Sequence, residues 1–313
     1  MNLKFLKKDD VVDVVFLGTA GTSDEVKKIK DFLKKIKLQP NIFLEKETTV
    51  KKSVAHEFPS FKAVKRLEQF KKSVKSNSKI IWCARGGYGT AELLPLLAKI
   101  KKPKQQKIFI GFSDISALNS FLIEQWNWKV VVAPMLAQIA LGHVSKKSIT
   151  AITDLIFDKT AELKYSLKPF ISAKKTISSF ITGGCVSVIA AQFGTKNQID
   201  WQNKILFLED EGEDGERLDR YFYQIIQIIS EQKKYPQAII LGNFLQANLH
   251  GTPKAKNIEM AIKKFAEKLQ EANLKIPLFQ EKSKSLGHAT DMLPLLLGHD
   301  SQIIENALIQ KIR

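Results

Sequence analysis

Residues 107–126, KIFIGFSDISALNSFLIEQW, join a short apolar run to a helix-patterned run through one polar corner. The segment 107–111 is too short and too rich in β-branched and aromatic side chains for a helix, and reads as a strand. From residue 114 onward apolar side chains return at helical spacing. Ser113 and Asp114 stand at the junction, where Ser and Asp are the usual helix caps. The corner also suits a nucleophile. A helix N-terminus favours negative charge, and the N–H of the residue after the serine can face a forming oxyanion. Both readings of Ser113 remain open here. The spacing is G-x-S-D rather than G-x-S-x-G, so an ordinary α/β-hydrolase elbow is not indicated.

The same alternation extends outward. Segments 11–18, 40–44, 79–84 and 129–134 read as strands, and 22–36, 61–74 and 90–100 as helices. Strands alternating with helices predict a parallel sheet with helices on both faces. The expected fold class is α/β: a Rossmann-like (flavodoxin-like) N-terminal domain over 1–145, a linker over 146–175, and a C-terminal α/β domain over 176–313. In the last, 204–210, 237–244 and 275–279 read as strands. Ligands of such sheets sit beyond the carboxyl ends of the strands, where RGGYG (85–89) and GFSD (111–114) both fall.

Composition narrows the function. The 313 residues are 44% hydrophobic, and no run approaches the roughly 20 apolar residues of a membrane span. Asp9, Asp10 and Asp13 interrupt any signal-peptide core, so a cytoplasmic protein without membrane association is expected. Two cysteines, Cys83 and Cys185, have no metal-type spacing, and the five histidines form no H-E-x-x-H pattern; no metal or cofactor is expected. The net charge of +17 rests on lysines spread over amphipathic helices, with no alternation of basic and aromatic residues; no specific nucleic-acid partner is expected.

Four further stretches carry candidate chemistry. RGGYGT (85–90) has three glycines that let a ligand approach backbone N–H groups, yet it matches neither G-x-G-x-x-G nor a phosphate loop. LEDEGEDGERLDR (208–220) fails as a calcium loop, because Gly212 and Tyr221 occupy ligand positions. Glu209 ends an apolar strand there and could project into a cleft, with Asp210 and Glu211 as rival carboxylates. His288 lies in SLGHATDMLPLLLG (285–298), and Cys185 in GGCVSVIAAQFGT (183–195).

In this order, ARGGYGT, IGFSDISAL, APM (133–135), GGCVSVIAAQFGT, ILFLEDEGE…RLDR, AIILGNF and IPLF…LGHATDMLPLLLG resemble the LD-carboxypeptidase family of serine peptidases, which includes the microcin C immunity proteins. The resemblance runs from about residue 10 to the C-terminus. It implies a Ser-His-Glu triad of Ser113, His288 and Glu209. It implies an oxyanion hole from the N–H of Asp114 and a glycine of RGGYG, with Gly87 favoured over Gly86. It also implies a site where the two domains meet, a homodimer, and a murein-derived peptide as substrate. Arg85, Gly86 and Tyr88 are candidate substrate contacts, with a turn-bracing role for Arg85 as the alternative. The family often has Asn where this chain has Cys185. Two other functions stay in view: an amidase acting on an aminoacyl- or peptidyl-nucleotide, and a non-enzymatic polyanion binder in which Ser113 only caps a helix.

Overall fold

The computed structural model describes residues 5–43, 49–50, 62–245 and 255–313. Leu44 and Phe61, at the ends of two expected elements, lie outside them. In chain order the strands are β1 (Val11–Val15), β2 (Gly21–Thr22), β3 (Gln39–Ile42), β4 (Thr49–Val50), β5 (Ile80–Cys83), β6 (Ile108–Ile110), β7 (Lys129–Val132), β8 (Glu162–Ile171), β9 (Ile177–Cys185), β10 (Ile205–Glu211), β11 (Ala238–Leu245), β12 (Leu278–Glu281), β13 (Leu295–Leu297), β14 (Asp300–Ile304) and β15 (Ala307–Lys311). The helices are α1 (Ser23–Lys35), α2 (Ala63–Lys75), α3 (Leu94–Leu97), α4 (Ser116–Glu124), α5 (Leu136–Ala140), α6 (Lys146–Ile156), α7 (Val186–Ala190), α8 (Gly215–Gln232) and α9 (Ala255–Glu271). The chain forms two compact units: 1–161 with 290–298 and 312–313, and 162–289 with 299–311.

The first unit holds a six-stranded sheet in the order β13-β7-β6-β5-β1-β3. Its central strands are parallel, as the alternation of strands and helices predicts. They are apolar on both faces: Ile80, Ile81, Trp82 and Cys83 of β5 are all fully buried. The strand order reverses at β1, between β3 and β5, which opens a crevice past the carboxyl ends of β1 and β5. The loops after these two strands meet there, with Thr19 N–H donating to the Gly86 carbonyl at 2.9 Å. The sheet is not wholly parallel. β13 returns from far along the chain to pair antiparallel with β7.

An ionic cluster lies inside this unit. Lys107 and Asp13 are fully buried, 3.3 Å apart. The ammonium donates to the Ser73 carbonyl at 2.6 Å, to Ser76 Oγ at 2.7 Å and to Ser78 Oγ at 3.0 Å. Asn41 Nδ2 donates to the Asp13 carboxylate at 2.8 Å. Removing one partner of such a pair strands the other charge in the core. Lys107→Met is therefore expected to destabilise the first unit by about 3–5 kcal/mol, read as a lowered denaturant midpoint.

The second unit corrects the expected C-terminal α/β sheet: it is a closed seven-stranded barrel, β10-β11-β12-β8-β15-β14-β9. β9, β10, β11 and β12 pair in parallel, and β12, β8, β15, β14 and β9 pair antiparallel in turn. The parallel half is covered by α8 and α9, where Phe222 stacks on Phe265 with centroids 4.4 Å apart. Its β10 and β11 are buried almost throughout and open as continuous apolar runs, as in a doubly covered sheet. The antiparallel half reads differently. In β8, Leu163, Tyr165 and Leu167 are buried while Glu162, Lys164, Ser166 and Lys168 face out. The stretch 146–175, read from sequence as a linker, is thus α6 of the first unit followed by this barrel strand.

Candidate catalytic residues

Ser113, Asp114, Arg85, Gly86, Gly87 and Tyr88 belong to the first unit; Glu209 and His288 belong to the second.

Ser113 follows β6 after Gly111 and Phe112 and opens a single 3-10 turn, Ser113–Ile115, that leads into α4. Its φ is +62°, the left-handed region that a non-glycine residue enters at a cost. No side chain caps this helix start. The capping reading of the Ser113–Asp114 pair therefore fails, and the strained corner is left without a structural reason of that kind. Asp114 is buried, and its Oδ2 accepts from Thr90 N–H at 3.0 Å and from the Thr90 hydroxyl. Burial pushes its carboxyl upward against these hydrogen bonds and the charge of Arg66, and the net effect is a raised pKa. Thr90, the last residue of RGGYGT, thereby ties the glycine turn to the serine corner. Its role has no separate sequence signal, because a threonine after a glycine turn is an ordinary helix start.

Within the turn, Gly86 faces the serine. A Cβ on Gly86 would lie 3.2 Å from Ser113 Cβ and 3.4 Å from its Oγ, so the missing side chain leaves room at the hydroxyl. Gly87, favoured from sequence, is pressed against Thr19. Arg85 Nη1 bonds Glu25 Oε1 and Oε2 at 2.9 and 3.1 Å, which gives this guanidinium a bracing role between the turn and α1. Tyr88 is exposed on the same turn.

In the second unit, β10 carries the apolar run Ile205, Leu206, Phe207, Leu208 and then Glu209, whose side chain is fully buried. The β10–β11 register slips between Leu208 and Asp210, with Gly242 and Asn243 of β11 facing the single Glu209. Glu209 Oε2 lies 2.7 Å from His288 Nδ1 and accepts the His288 backbone N–H at 3.0 Å. A carboxylate oxygen accepts, so in the neutral imidazole this contact favours the proton on Nδ1 and leaves the lone pair to Nε2. Burial pushes the His288 imidazole down, but the charge and hydrogen bond of Glu209, with Glu211 and Asp210 behind it, outweigh this and raise its pKa above 6.5.

Two residues without a distinct signal of their own hold the histidine. Asn243, on β11, donates Nδ2–H to the His288 carbonyl at 2.5 Å. Gly287 has φ +96°, and a Cβ there would lie 2.5 Å from Glu209 Oε2. Only glycine lets the carboxylate come this close to the next residue's N–H. The rival carboxylates take other parts. Asp210 Oδ2 accepts from Ser187 N–H at 2.7 Å, in the first turn of α7, and burial raises its pKa to about 6. Glu211 is half exposed, with Oε2 3.4 Å from His288 Nε2. Cys185 pairs with Glu209 in the β9–β10 register; burial and the two neighbouring carboxylates push its thiol pKa up, so it is a poor nucleophile.

One unit thus holds an imidazole in contact with a buried carboxylate, and the other a serine on a strained strand-to-helix corner. Comparison with known proteins identifies the family. The LD-carboxypeptidase N-terminal domain profile matches residues 12–133, and the LD-carboxypeptidase C-terminal domain profile matches residues 178–303. A protein named as a carboxypeptidase in Rickettsia conorii is 31% identical over 232 residues, 72% of this chain and 68% of that one. The murein tetrapeptide carboxypeptidase of Pseudomonas aeruginosa is 29% identical over 175 residues, 52% of this chain and 55% of that one. Among solved structures, an MccF-like protein from Bacillus anthracis has a TM-score of 0.78 at 17% identity, with all of both chains covered.

Proposed function

Because the chain belongs to the LD-carboxypeptidase family, we propose that it is a serine carboxypeptidase that releases the terminal D-Ala of a murein tetrapeptide. The observation that carries the mechanism is the buried 2.7 Å contact between His288 Nδ1 and Glu209. It fixes the tautomer in which Nε2 can take a proton. Ser113 Oγ attacks the carbonyl of the residue before D-Ala as its proton passes to His288 Nε2. The tetrahedral oxyanion is held by the N–H of Asp114 and an N–H of the Gly86–Gly87 turn, each worth roughly 3 kcal/mol. Collapse expels the D-Ala amine, which takes the proton from His288. Water, activated by the same imidazole, then releases the acyl group from Ser113. Glu209 orients the imidazole and stabilises the imidazolium.

The name of the Pseudomonas relative supports murein as the substrate. The likeness to an MccF-like fold keeps a second substrate in view, an aminoacyl- or peptidyl-nucleotide amide, for the same triad. Parallel assays separate them: D-Ala release from a murein tetrapeptide, and hydrolysis of an aminoacyl-sulfamoyl adenosine. The proposal expects the first to exceed the second in kcat/KM, and the reverse order would overturn it.

Gly287→Ala tests the geometry of the His288–Glu209 pair apart from its chemistry. The added methyl group must displace the Glu209 carboxylate, in a backbone conformation that alanine resists. A displacement of about 1 Å at such a group lowers turnover by about 100-fold. The expected result is that loss in kcat with a retained circular dichroism spectrum.

A further inference from the structure

A cavity of about 660 Å³ opens in the barrel unit, in the size range of small-ligand sites. Lys168 of β8, Lys263 of α9, and Lys282 and Lys284 of the segment after β12 converge on it from three parts of the unit. Two carboxylates also line the cavity, but they do not cancel the charge. Glu281 is buried and engaged inward, accepting from Ser283 N–H at 2.8 Å and Ser285 N–H at 2.7 Å. Glu259 lies one turn before Lys263 on the exposed side of α9, so four lysines against two carboxylates leave the lining net positive. Phe170 and Phe244 supply apolar wall, and the Lys168 ammonium lies 5.4 Å from the Phe170 ring centroid. The position matters as much as the charge. Asn243 lines this cavity, and its Nδ2 is the group that donates to the His288 carbonyl. Lys282 and Lys284 belong to the stretch of chain that ends at His288.

Resting on the carboxypeptidase reading, we propose that this cavity is the subsite for the acyl side of the substrate, and that its lysines bind carboxylates carried by the peptide on the amino side of the scissile bond. The leaving amino acid is too small to need such a space. Lysine suits the task, because it meets a carboxylate as a mobile point charge and tolerates several peptide geometries. The cavity would thereby favour acidic peptides over neutral ones.

The test is a Lys168→Ala/Lys263→Ala double variant, which leaves the 282–288 segment intact. Two probes are used: the murein tetrapeptide, and the same peptide with its acyl-side carboxylates converted to amides. Removing two exposed lysine–carboxylate ion pairs at once corresponds to about a 10-fold rise in KM. That rise is expected for the acidic peptide, with kcat changed less than about twofold. Amidation is expected to cost the wild type at least the same factor and the double variant less, because Lys282 and Lys284 still meet the carboxylates there while the interactions of Lys168 and Lys263 are already gone. Lys264→Ala, on α9 but outside the cavity lining, controls for general charge and is expected to leave KM unchanged. An unaltered KM in the double variant, additive effects of variant and amidation, or an equal rise in Lys264→Ala would each overturn the proposal. Failure of the wild type to release D-Ala would instead overturn the carboxypeptidase reading itself.

Discussion

Ser113→Ala is expected to lower D-Ala release from a murein tetrapeptide by about 10⁴-fold or more, with KM little changed. Removing the nucleophile of a serine triad leaves only what positioning and oxyanion stabilisation supply. The substitution deletes one half-buried hydroxyl that caps no helix. It therefore leaves the fold standing, and an unchanged thermal midpoint is the expected control. Residual activity near the wild-type level would mean that the +62° backbone at this corner serves some end other than nucleophilic attack.

Glu209→Gln is expected to reduce kcat by about 10³–10⁴-fold while preserving shape. An amide at this position can present N–H rather than an acceptor to Nδ1, which favours the tautomer with the proton on Nε2. The base then has no lone pair toward the serine. The pH profile should move as well. With His288 as the proposed base, the neutral imidazole would be the active form, and its pKa is raised above 6.5, by Glu209 first among the charges that oppose burial. Activity is thus present above that raised pKa and is lost as pH falls through it. Without the Glu209 charge, burial pushes the imidazole down, so the acid limb of what activity remains shifts to lower pH. A limb that moves to higher pH, or a kcat within about tenfold of wild type, would contradict the assigned role.

Much of this arrangement is legible in the residues. The GFSD corner reads as strand, polar junction and helix, and the alternation around it predicts the parallel strands of the first unit. The left-handed backbone at Ser113 has no such signal, since φ is not written in residue type for serine as it is for glycine. Glu209 is legible as a carboxylate at the end of an apolar strand, but Asp210 and Glu211 are equally acidic. Tertiary contact separates them, turning Asp210 to the first turn of α7 and Glu209 to His288. The barrel was the part least open to reading. β10 and β11 are covered on both faces and look like strands of any parallel α/β sheet. β8, with lysines on its outer face and a proline near its end, looks like a polar connection. Closure depends on which strands pair, and that pairing joins residues more than a hundred positions apart, as between β8 and β15.

The central claim is that one imidazole activates one serine. Labelling by a fluorophosphonate probe tests it most directly, because the probe reacts only with an activated hydroxyl and reports the modified residue by peptide mass. The account predicts stoichiometric labelling at Ser113 in the wild type and its loss in His288→Ala. Labelling at another residue, or undiminished labelling of Ser113 without His288, would contradict it.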